Sequence, residues 1–415
     1  MAGLSKRDVG SMTFLSSWRA DFQIGSEEDN ISLDFHFYTN RNYLPMRPVG
    51  CNASVTEPNE FANSTTHARN NTCVFSTIYG TRDLTTLKSR YNSSKGSIIL
   101  TDRLAFGDNV VGDVDLYMVD YGSSVKIAGS LGLGQPNDAY FGYHKNFVQQ
   151  LHENGVIESS VLSLWLDPGN HSVGLFAFGG IDEAKYSGSL FRFPMLNSYV
   201  MKEFSENLEI KLDSILNSDV SFTQPVGFAL DPGASSSNFP QDYFDAFAKF
   251  FDGILDESIG KYSVDKKYLT LNEIVTFTFG NFDLSVPIAS LVEEDLGEVY
   301  TTFELSVEAS LGLDVLRHAY IAIDYDNYEI ALGQSNTDGL DSEKLVSASS
   351  NLDFILMASG ASDTSLAIEI WQTLIYLARA DYYSERNSGT LRGCAALTTP
   401  LVGLFGLIAG ILMGI

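Results

Sequence analysis

Basic residues are scarce in this chain. Its 415 residues include 26 Lys and Arg against 52 Asp and Glu, which gives a formal net charge of −26 at pH 7. Because cationic side chains are needed to neutralise phosphates, this balance argues against nucleic acid as a partner. An acidic surface suits a protein that stays soluble in acidic surroundings or outside the cell, and it carries no information about the fold.

Cysteine and histidine are also rare, with three Cys and six His in the whole chain. No His-x-x-x-His or Cys-x-x-Cys spacing occurs among them, although zinc sites usually place their ligands at such separations. The sequence therefore predicts neither a metal site nor a cofactor. The apolar content of 44%, by contrast, is typical of a globular protein with a sizeable core.

A long apolar run is missing from the N-terminus and present at the C-terminus. Residues 1–13 lack the apolar core of a signal peptide, whereas residues 401–415 form an uncharged apolar tail. A small-residue cluster and a spacer of roughly ten residues precede the tail, in the order that predicts a GPI attachment signal. The alternative is a retained membrane anchor over residues 395–415, which are long enough to span a bilayer. The small residues are Asn387, Ser388 and Gly389.

Sequons for N-glycosylation crowd the first part of the chain and predict a secreted glycoprotein. They begin at Asn30, Asn52, Asn63, Asn70, Asn92 and Asn170. In an oxidising compartment, Cys51 and Cys73 then predict a disulfide, which leaves Cys394 as an odd cysteine.

One stretch, Phe228–Pro240, organises the second half of the chain. Apolar residues lead into Asp231, a Pro-Gly turn and four small residues, and a helix-like run follows at 243–250. This order predicts a buried strand that delivers Asp231 to a tight turn, where small residues let the backbone pack around the carboxylate. An ordinary strand, turn and helix without a catalytic role is the alternative.

Other segments on both sides of this stretch have a distinctive sequence. In the first half of the chain they are predicted short strands separated by Gly, Asn and Ser turns. The segments are Ile24–Pro45, Phe75–Thr81, Gly96–Gly107, Ala128–Gly134, Leu175–Leu190, Leu208–Asp213, Val275–Gly280, Leu311–Tyr320 and Ile323–Leu332. Together with Phe228–Pro240 they resemble the pepsin-like aspartic peptidases. The string Phe-Gly-Gly-Ile-Asp-Glu-Ala-Lys-Tyr at 178–186 is the most specific, and it is similar to the fungal, GPI-anchored, yapsin-like members. The resemblance covers residues 14–336.

This resemblance implies an all-β, bilobal acid-protease fold with a central cleft, short helices and a C-terminal hydrophobic tail. It implies a peptide or protein substrate or ligand, and a monomer that reaches the outer face of the plasma membrane or the cell wall by the secretory route. The expected divisions are a segment with a dibasic processing site at Lys6 and Arg7 (1–13), two lobes (14–193 and 194–340), a stalk or helical linker (341–390) and the tail (391–415).

The catalytic centre that the resemblance implies is incomplete. Pepsin-like catalysis uses two carboxylates that share one proton and hold a water. Asp231 occupies the second catalytic position, but the ungapped match over Ile24–Pro45 places His36 at the first. At mildly acidic pH, His36 is expected to be cationic and to form an ion pair with Asp231. Asp34 lies two residues upstream on the same strand face. Asp34 could take the first catalytic position only if the match were shifted by two residues. Otherwise it is expected to be solvated near a strand end.

Residues around the two acid positions also depart from the family pattern. Phe37 and Pro232 replace the hydroxyl residues by which the two loops grip each other, Tyr38 stands at a glycine position, and Ala234 lacks the hydroxyl that would bind Asp231. Asp314 is expected to form a cap or turn. The implied substrate-binding residues are the flap residues Tyr79, Gly80 and Thr81 and the loop residues Gly233, Ala234 and Ser235.

We therefore expect an aspartic endopeptidase family protein that is inactive or strongly impaired. Two alternatives stay open at this stage. One is an active endopeptidase that uses Asp231 with His36 or Asp34. The other is a non-catalytic protein of the cell wall, which binds peptides or has a structural role as a glycoprotein.

Overall fold

The computed structural model describes residues 9–13, 18–24, 29–51, 73–77, 80–83, 88–92, 97–106, 109–119, 129–136, 145–169, 173–196, 207–217, 221–223, 225–256, 258–306, 309–337, 342–348, 352 and 355–359. Several of the sequence predictions lie outside these residues. They are the dibasic site at Lys6 and Arg7, the role of Tyr79, the sequons at Asn52, Asn63, Asn70 and Asn170, most of the linker, the cluster at Asn387, Ser388 and Gly389, and both interpretations of the apolar tail.

Strands dominate the described residues. In chain order they are β1 (Val9–Thr13), β2 (Arg19–Ile24), β3 (Asp29–His36), β4 (Tyr43–Cys51), β5 (Cys73–Thr77), β6 (Gly80–Asp83), β7 (Lys88–Asn92), β8 (Ser97–Phe106), β9 (Asn109–Val119), β10 (Gly129–Gly132), β11 (Val161–Leu166), β12 (Val173–Phe178), β13 (Gly180–Asp182), β14 (Tyr186–Pro194), β15 (Glu209–Leu212), β16 (Ser214–Leu216), β17 (Ser221–Phe222), β18 (Val226–Leu230), β19 (Asn238–Phe239), β20 (Ile254–Asp256), β21 (Lys261–Ser263), β22 (Ile274–Phe279), β23 (Phe282–Pro287), β24 (Val292–Asp295), β25 (Glu298–Thr301), β26 (Glu304–Leu305), β27 (Ser310–Leu311), β28 (Ala319–Asp324), β29 (Glu329–Ser335), β30 (Leu345–Ser347) and β31 (Leu356–Met357).

Short helices connect these strands in the described part of the chain. The α-helices are α1 (Phe147–Glu153), α2 (Gln241–Phe251) and α3 (Leu313–Leu316), and Lys266–Leu269 and Ile288–Leu291 form 3-10 turns. Helix α2 confirms the helix expected after Asp231, and it buries Tyr243, Phe244, Phe247 and Phe251 along one face. No helix among the described residues is long and apolar enough to cross a membrane.

The sheets form two lobes around a shared layer. A nine-stranded sheet uses only strands β2 to β10, and three smaller sheets (β15-β18-β27-β19-β26, β17-β16-β22-β23 and β20-β21-β25-β24) use strands between residues 209 and 311. A seven-stranded sheet, β1-β12-β11-β28-β29-β14-β31, takes strands from both ends of the chain. This arrangement confirms the predicted all-β, bilobal fold, while the exact lobe boundaries stay a prediction.

Burial patterns follow from the position of each strand. In β22 the side chains of Val275, Phe277 and Phe279 are buried and alternate with more accessible ones, because this strand covers the core with one face. Every residue of β11 and β28 is buried, because these paired strands lie at the centre of the shared sheet. Strands buried on both faces lose the alternating pattern, and most positions of β11 and β28 are apolar.

The hairpin around the predicted disulfide is partly described. Cys51 and Cys73 are direct partners in the antiparallel ladder of β4 and β5. Opposite residues in such a ladder have Cα atoms about 4.5 or 5.5 Å apart, which lies within the range of disulfides. The register therefore supports the disulfide, which stays a prediction. Strands β5 and β6 pair from Thr77 and Gly80, so Gly80 and Thr81 lie on the returning strand of this hairpin.

Two Leu-Gly-Leu segments support the loops that carry the candidate site. Strand β10 runs parallel to β3, which ends at His36, and β27 runs parallel to β18, which ends just before Asp231. A Cβ atom on Gly132 would lie 2.4 Å from the backbone nitrogen of Arg41. A Cβ atom on Gly312 would lie 2.3 Å from the carbonyl oxygen of Ser236. Each loop thus packs backbone to backbone against a glycine.

We expect Gly132→Ala and Gly312→Ala each to lower the free energy of unfolding by about 1–3 kcal/mol, because the added methyl group must displace backbone. Gly169→Ala is the matched control, since the nearest atom to its Cβ would be the Asp167 Oδ1 at 3.5 Å. Urea unfolding of the three variants measures the difference. Equal midpoints for Gly312→Ala and Gly169→Ala would show that the loop is free to move away.

Candidate active site

His36 is the last residue of β3 and is half-buried. Its carbonyl accepts a hydrogen bond from the Leu133 amide at 2.8 Å, which fixes the strand end against the segment after β10. Its ring stacks on Tyr38, with centroids 5.0 Å apart, and its Nδ1 lies 3.1 Å from the Tyr38 hydroxyl. Tyr38 itself is 57% exposed, so the ring that stacks on His36 is accessible to solvent.

Asp231 lies in the tight turn that the sequence predicts. Its amide donates to the Leu311 carbonyl at 3.0 Å, and its Oδ1 accepts from the Gly233 amide at 2.9 Å. A Cβ atom on Gly233 would lie 3.1 Å from this Oδ1, so any larger residue here would contact the carboxylate closely. Gly233 and Ser235 are exposed on this loop, whereas Pro232 is buried.

The fold brings His36 and Asp231 close enough for each charge to act on the other. Burial raises the pKa of Asp231, and the Gly233 and Ala234 amides together with the His36 charge oppose that shift. Burial lowers the pKa of His36, and the charges of Asp34 and Asp231 oppose that shift. Desolvation therefore favours the neutral form of both groups. The ion pair between His36 and Asp231 that the sequence predicts is less favourable at this buried site than it would be in water.

Asp34 is buried rather than solvated, so the sequence expectation was wrong on this point. Its carboxylate receives two hydrogen bonds from Arg19, at 2.7 Å from Nε and 3.3 Å from the terminal nitrogen Nη2. Arg19 is its direct partner across the β2–β3 ladder, and this pairing keeps the buried charge compensated. His36 remains the first-lobe group whose charge acts on Asp231.

Two residues that follow His36 make contacts within the first lobe. Phe37 is buried and packs edge-on against Phe176, with centroids 5.9 Å apart. The Thr39 hydroxyl accepts from the Arg41 amide at 3.2 Å, within its own loop. Both contacts stabilise the loop that carries His36, and neither reaches the Asp231 loop.

Asp314 lies in the first turn of helix α3, and its carboxylate makes contacts with distant residues that the sequence did not indicate. Its buried carboxylate accepts from the Ser237 hydroxyl at 2.6 Å, the Ser237 amide at 3.0 Å and the Thr302 hydroxyl at 2.9 Å. Burial raises its pKa, and these hydrogen bonds oppose the shift. Asp314 thereby fastens the end of the Asp231 loop to helix α3.

Among the described residues, no group of three or more His, Cys, Asp or Glu side chains could hold a metal ion. The predicted flap tyrosine, Tyr79, lies outside the described residues, so its relation to His36 and Asp231 stays a prediction.

Comparison with known proteins gives consistent matches. The family model for eukaryotic aspartyl protease matches residues 20–335. Barrierpepsin of Saccharomyces cerevisiae is 30% identical over 261 residues, which is 57% of this chain and 44% of that protein. Secreted aspartic protease 9 of Candida albicans is 29% identical over 237 residues, or 53% of this chain and 44% of that protein. The match therefore spans less than half the length of these two relatives.

Two further comparisons extend over more of the chain. Candidapepsin-3 of Candida albicans is 28% identical over 338 residues, which is 77% of this chain and 79% of that protein. In structure, the chain is similar to the aspartic proteinase from Irpex lacteus, with a TM-score of 0.58 at 16% sequence identity. That similarity covers 81% of this chain and 100% of the other, and it concerns the fold.

We expect Asp231→Asn to be more stable than the parent at pH 7, with an advantage that shrinks towards pH 3. The folded protein holds the pKa of Asp231 above its ordinary value of 3.8, so the folded state binds more protons than the unfolded state above that pH. Stability is therefore lost as pH rises through this range, by about 1.4 kcal/mol per unit of pKa difference, and Asn removes the loss.

Urea unfolding at pH 3, 5 and 7 measures this effect. The exposed Asp295→Asn is the control for the loss of one carboxylate outside the site. An Asp231→Asn advantage that grows towards acidic pH would contradict the expected sign.

Proposed function

Because this chain belongs to the eukaryotic aspartyl protease family, we propose that it is a catalytically silent or greatly weakened member whose cleft still binds peptides. Catalysis in the family needs two acids that hold a water between them and divide the roles of general base and general acid. Here an imidazole, His36, and one carboxylate, Asp231, meet at the site.

The contact between Tyr38 and His36 carries the proposal. The Tyr38 hydroxyl engages Nδ1 at 3.1 Å, and its ring covers one face of the imidazole. A general base needs an accessible lone pair beside the attacking water, and this contact engages Nδ1 and one face of the ring, so that His36 could take this role only through Nε2. The neutral forms favoured by burial therefore do not by themselves provide a working acid and base.

A peptide-binding role for the cleft rests on the second-lobe loop. Gly233 and Ser235 are exposed beside Asp231, where backbone groups are accessible to an extended ligand. The loop itself is fastened at both ends, by the Leu311 carbonyl and by Asp314. A rigid, accessible loop lowers the entropy cost of binding whether or not hydrolysis follows.

An active endopeptidase that uses His36 with Asp231 is the second candidate. A neutral imidazole can act as base and a protonated carboxyl as acid, and burial shifts both groups in that direction. The third candidate, a structural wall glycoprotein, is motivated by the crowded sequons. Asp34 is a poor substitute acid, because Arg19 already engages both carboxylate oxygens.

We expect the full chain, purified in detergent, to cleave no peptide of a mixed library between about pH 3 and 6 beyond the level of Asp231→Asn. The double variant His36→Asp/Tyr38→Gly restores the carboxylate and uncovers it, so turnover should rise by at least about 100-fold. Mass spectrometry of the digests measures both, and adding Asp231→Asn to the double variant is the control.

The three candidates give different results in this assay. Cleavage by the parent that Asp231→Asn abolishes would refute a silent centre and favour the active candidate. Binding of a pepstatin-like transition-state analogue without turnover supports a peptide-binding cleft. Absence of both binding and turnover favours the structural glycoprotein.

The localisation that we propose is the outer face of the plasma membrane or the cell wall, with a GPI anchor and a monomeric chain. The acidic composition, the sequons and the order of residues 387–415 support it. The names of the Candida albicans relatives describe secreted proteins, which is consistent with a secretory route.

Phosphatidylinositol-specific phospholipase C should release the protein from intact membranes in a form that no longer partitions into detergent. The physical reason is that the lipid, and no peptide segment, then holds the chain in the bilayer. Protein that stays with the membrane after complete lipase treatment would identify residues 395–415 as a retained anchor. A known GPI protein in the same preparation is the control for lipase activity.

A further inference from the structure

Two buried hydrogen bonds connect distant parts of the chain directly behind the candidate site. The indole Nε1 of Trp18 donates to the Pro232 carbonyl at 2.5 Å, across 214 residues of sequence. The hydroxyl of Tyr325 donates to the Leu133 carbonyl at 2.5 Å, across 192 residues. Both donors are aromatic side chains. Both acceptors are backbone carbonyls, one in the loop that carries Asp231 and one in the segment that contacts the His36 loop.

Trp18 contacts both site loops at once. Its carbonyl accepts from the Phe35 amide at 2.7 Å, one residue before His36, while its indole holds Pro232, one residue after Asp231. The indole is buried and lies 5.1 Å from the ring of Phe176. Gly174 makes room for it, since a Cβ atom there would lie 2.6 Å from the indole ring.

Tyr325 supports the His36 loop from the opposite direction. It lies in the turn between β28 and β29 and is fully buried. Leu133, which accepts its hydrogen bond, donates its own amide to the His36 carbonyl at 2.8 Å. Burial raises the pKa of Tyr325, which keeps its hydroxyl protonated and able to donate.

We propose that Trp18 and Tyr325 are positioning residues that hold the His36 and Asp231 loops in place relative to each other. In the family pattern, hydroxyl side chains connect the two loops, but Phe37 and Pro232 stand at those positions and have no hydroxyl. Hydrogen bonds between buried groups fix geometry because the unpaired alternative leaves a desolvated carbonyl. The role holds whether the site hydrolyses peptides or only binds them, so it goes beyond the proposed function.

Hydrogen exchange of the full chain tests the role of each donor. Trp18→Phe keeps an aromatic ring and removes the N–H group. Amides in residues 229–237 should then exchange about tenfold faster than in the parent. Tyr325→Phe removes only the hydroxyl, and it should accelerate exchange at 33–42 and 131–134. Because Tyr325→Phe is the milder change, it decides the matter if Trp18→Phe does not fold.

Matched controls remove a comparable hydrogen bond elsewhere. Trp165→Phe removes an indole bond to the Asn336 carbonyl at 3.2 Å, and Tyr268→Phe removes a hydroxyl bond to the Phe250 carbonyl at 3.2 Å. Faster exchange confined to the site loops in the test variants supports the proposal. Exchange at those loops no faster than in the controls, or a uniform rise over the whole chain, would overturn it.

A spectroscopic measurement separates positioning from mere stability. The indole N–H signal of Trp18 should shift as Asp231 titrates, because its acceptor belongs to the next residue, and the shift should vanish in Asp231→Asn. The signal of Trp165 should show no shift that depends on Asp231. A Trp18 signal that does not change while Asp231 titrates would contradict the proposed positioning of the Asp231 loop by Trp18.

Discussion

The close approach of backbone to backbone at Gly132 and Gly312 is the constraint on which the candidate site depends. Each glycine lets one loop lie directly against a parallel pair of strands, at a distance that a side chain would prevent. The two loops therefore obtain their shape from the sheets and not from the residues at the acid positions. This explains how the floor of the site persists although His36, Phe37, Tyr38 and Pro232 all depart from the family pattern.

Phe37 provides packing at a position where the family pattern has a hydroxyl residue. A hydroxyl at this position would serve a contact between lobes, whereas the buried phenyl ring packs against Phe176 within the first lobe. Burying a side chain of this size stabilises a fold by roughly 1.5–3 kcal/mol relative to leaving it exposed. Active sites commonly give up stability for function, and a buried phenyl ring at such a position adds stability instead.

The sequence predicted the features that local patterns encode. The strand before Asp231, its Pro-Gly turn and helix α2 could be read from consecutive residues, because apolar spacing and turn chemistry act over short distances. The fold followed from the order of many such segments. Gly132 and Gly312 stood in the quoted segments as well, although their close contacts become visible only in three dimensions.

Features that depend on long-range pairing could not be predicted in the same way. Asp34 looked solvated because its partner, Arg19, lies 15 residues earlier, and only the hairpin register brings the two together. Trp18 and Tyr325 showed no local signal, since their acceptors lie 214 and 192 residues away. The pKa of His36 depends on how deeply its ring is buried, and an ungapped sequence match carries no information about burial.

The shared sheet has a consequence for how the protein is made. Strand β11 pairs with β28, and Val161 is opposite Asp324. During synthesis, β11 therefore has no partner on that side until more than 150 further residues have been added. At a synthesis rate of about 5–20 residues per second, the ribosome needs on the order of 10 to 30 s to deliver them. During that interval an apolar strand edge of the first lobe has no neighbour on one side. An unpaired apolar edge of this kind is a site at which a nascent chain is prone to aggregate.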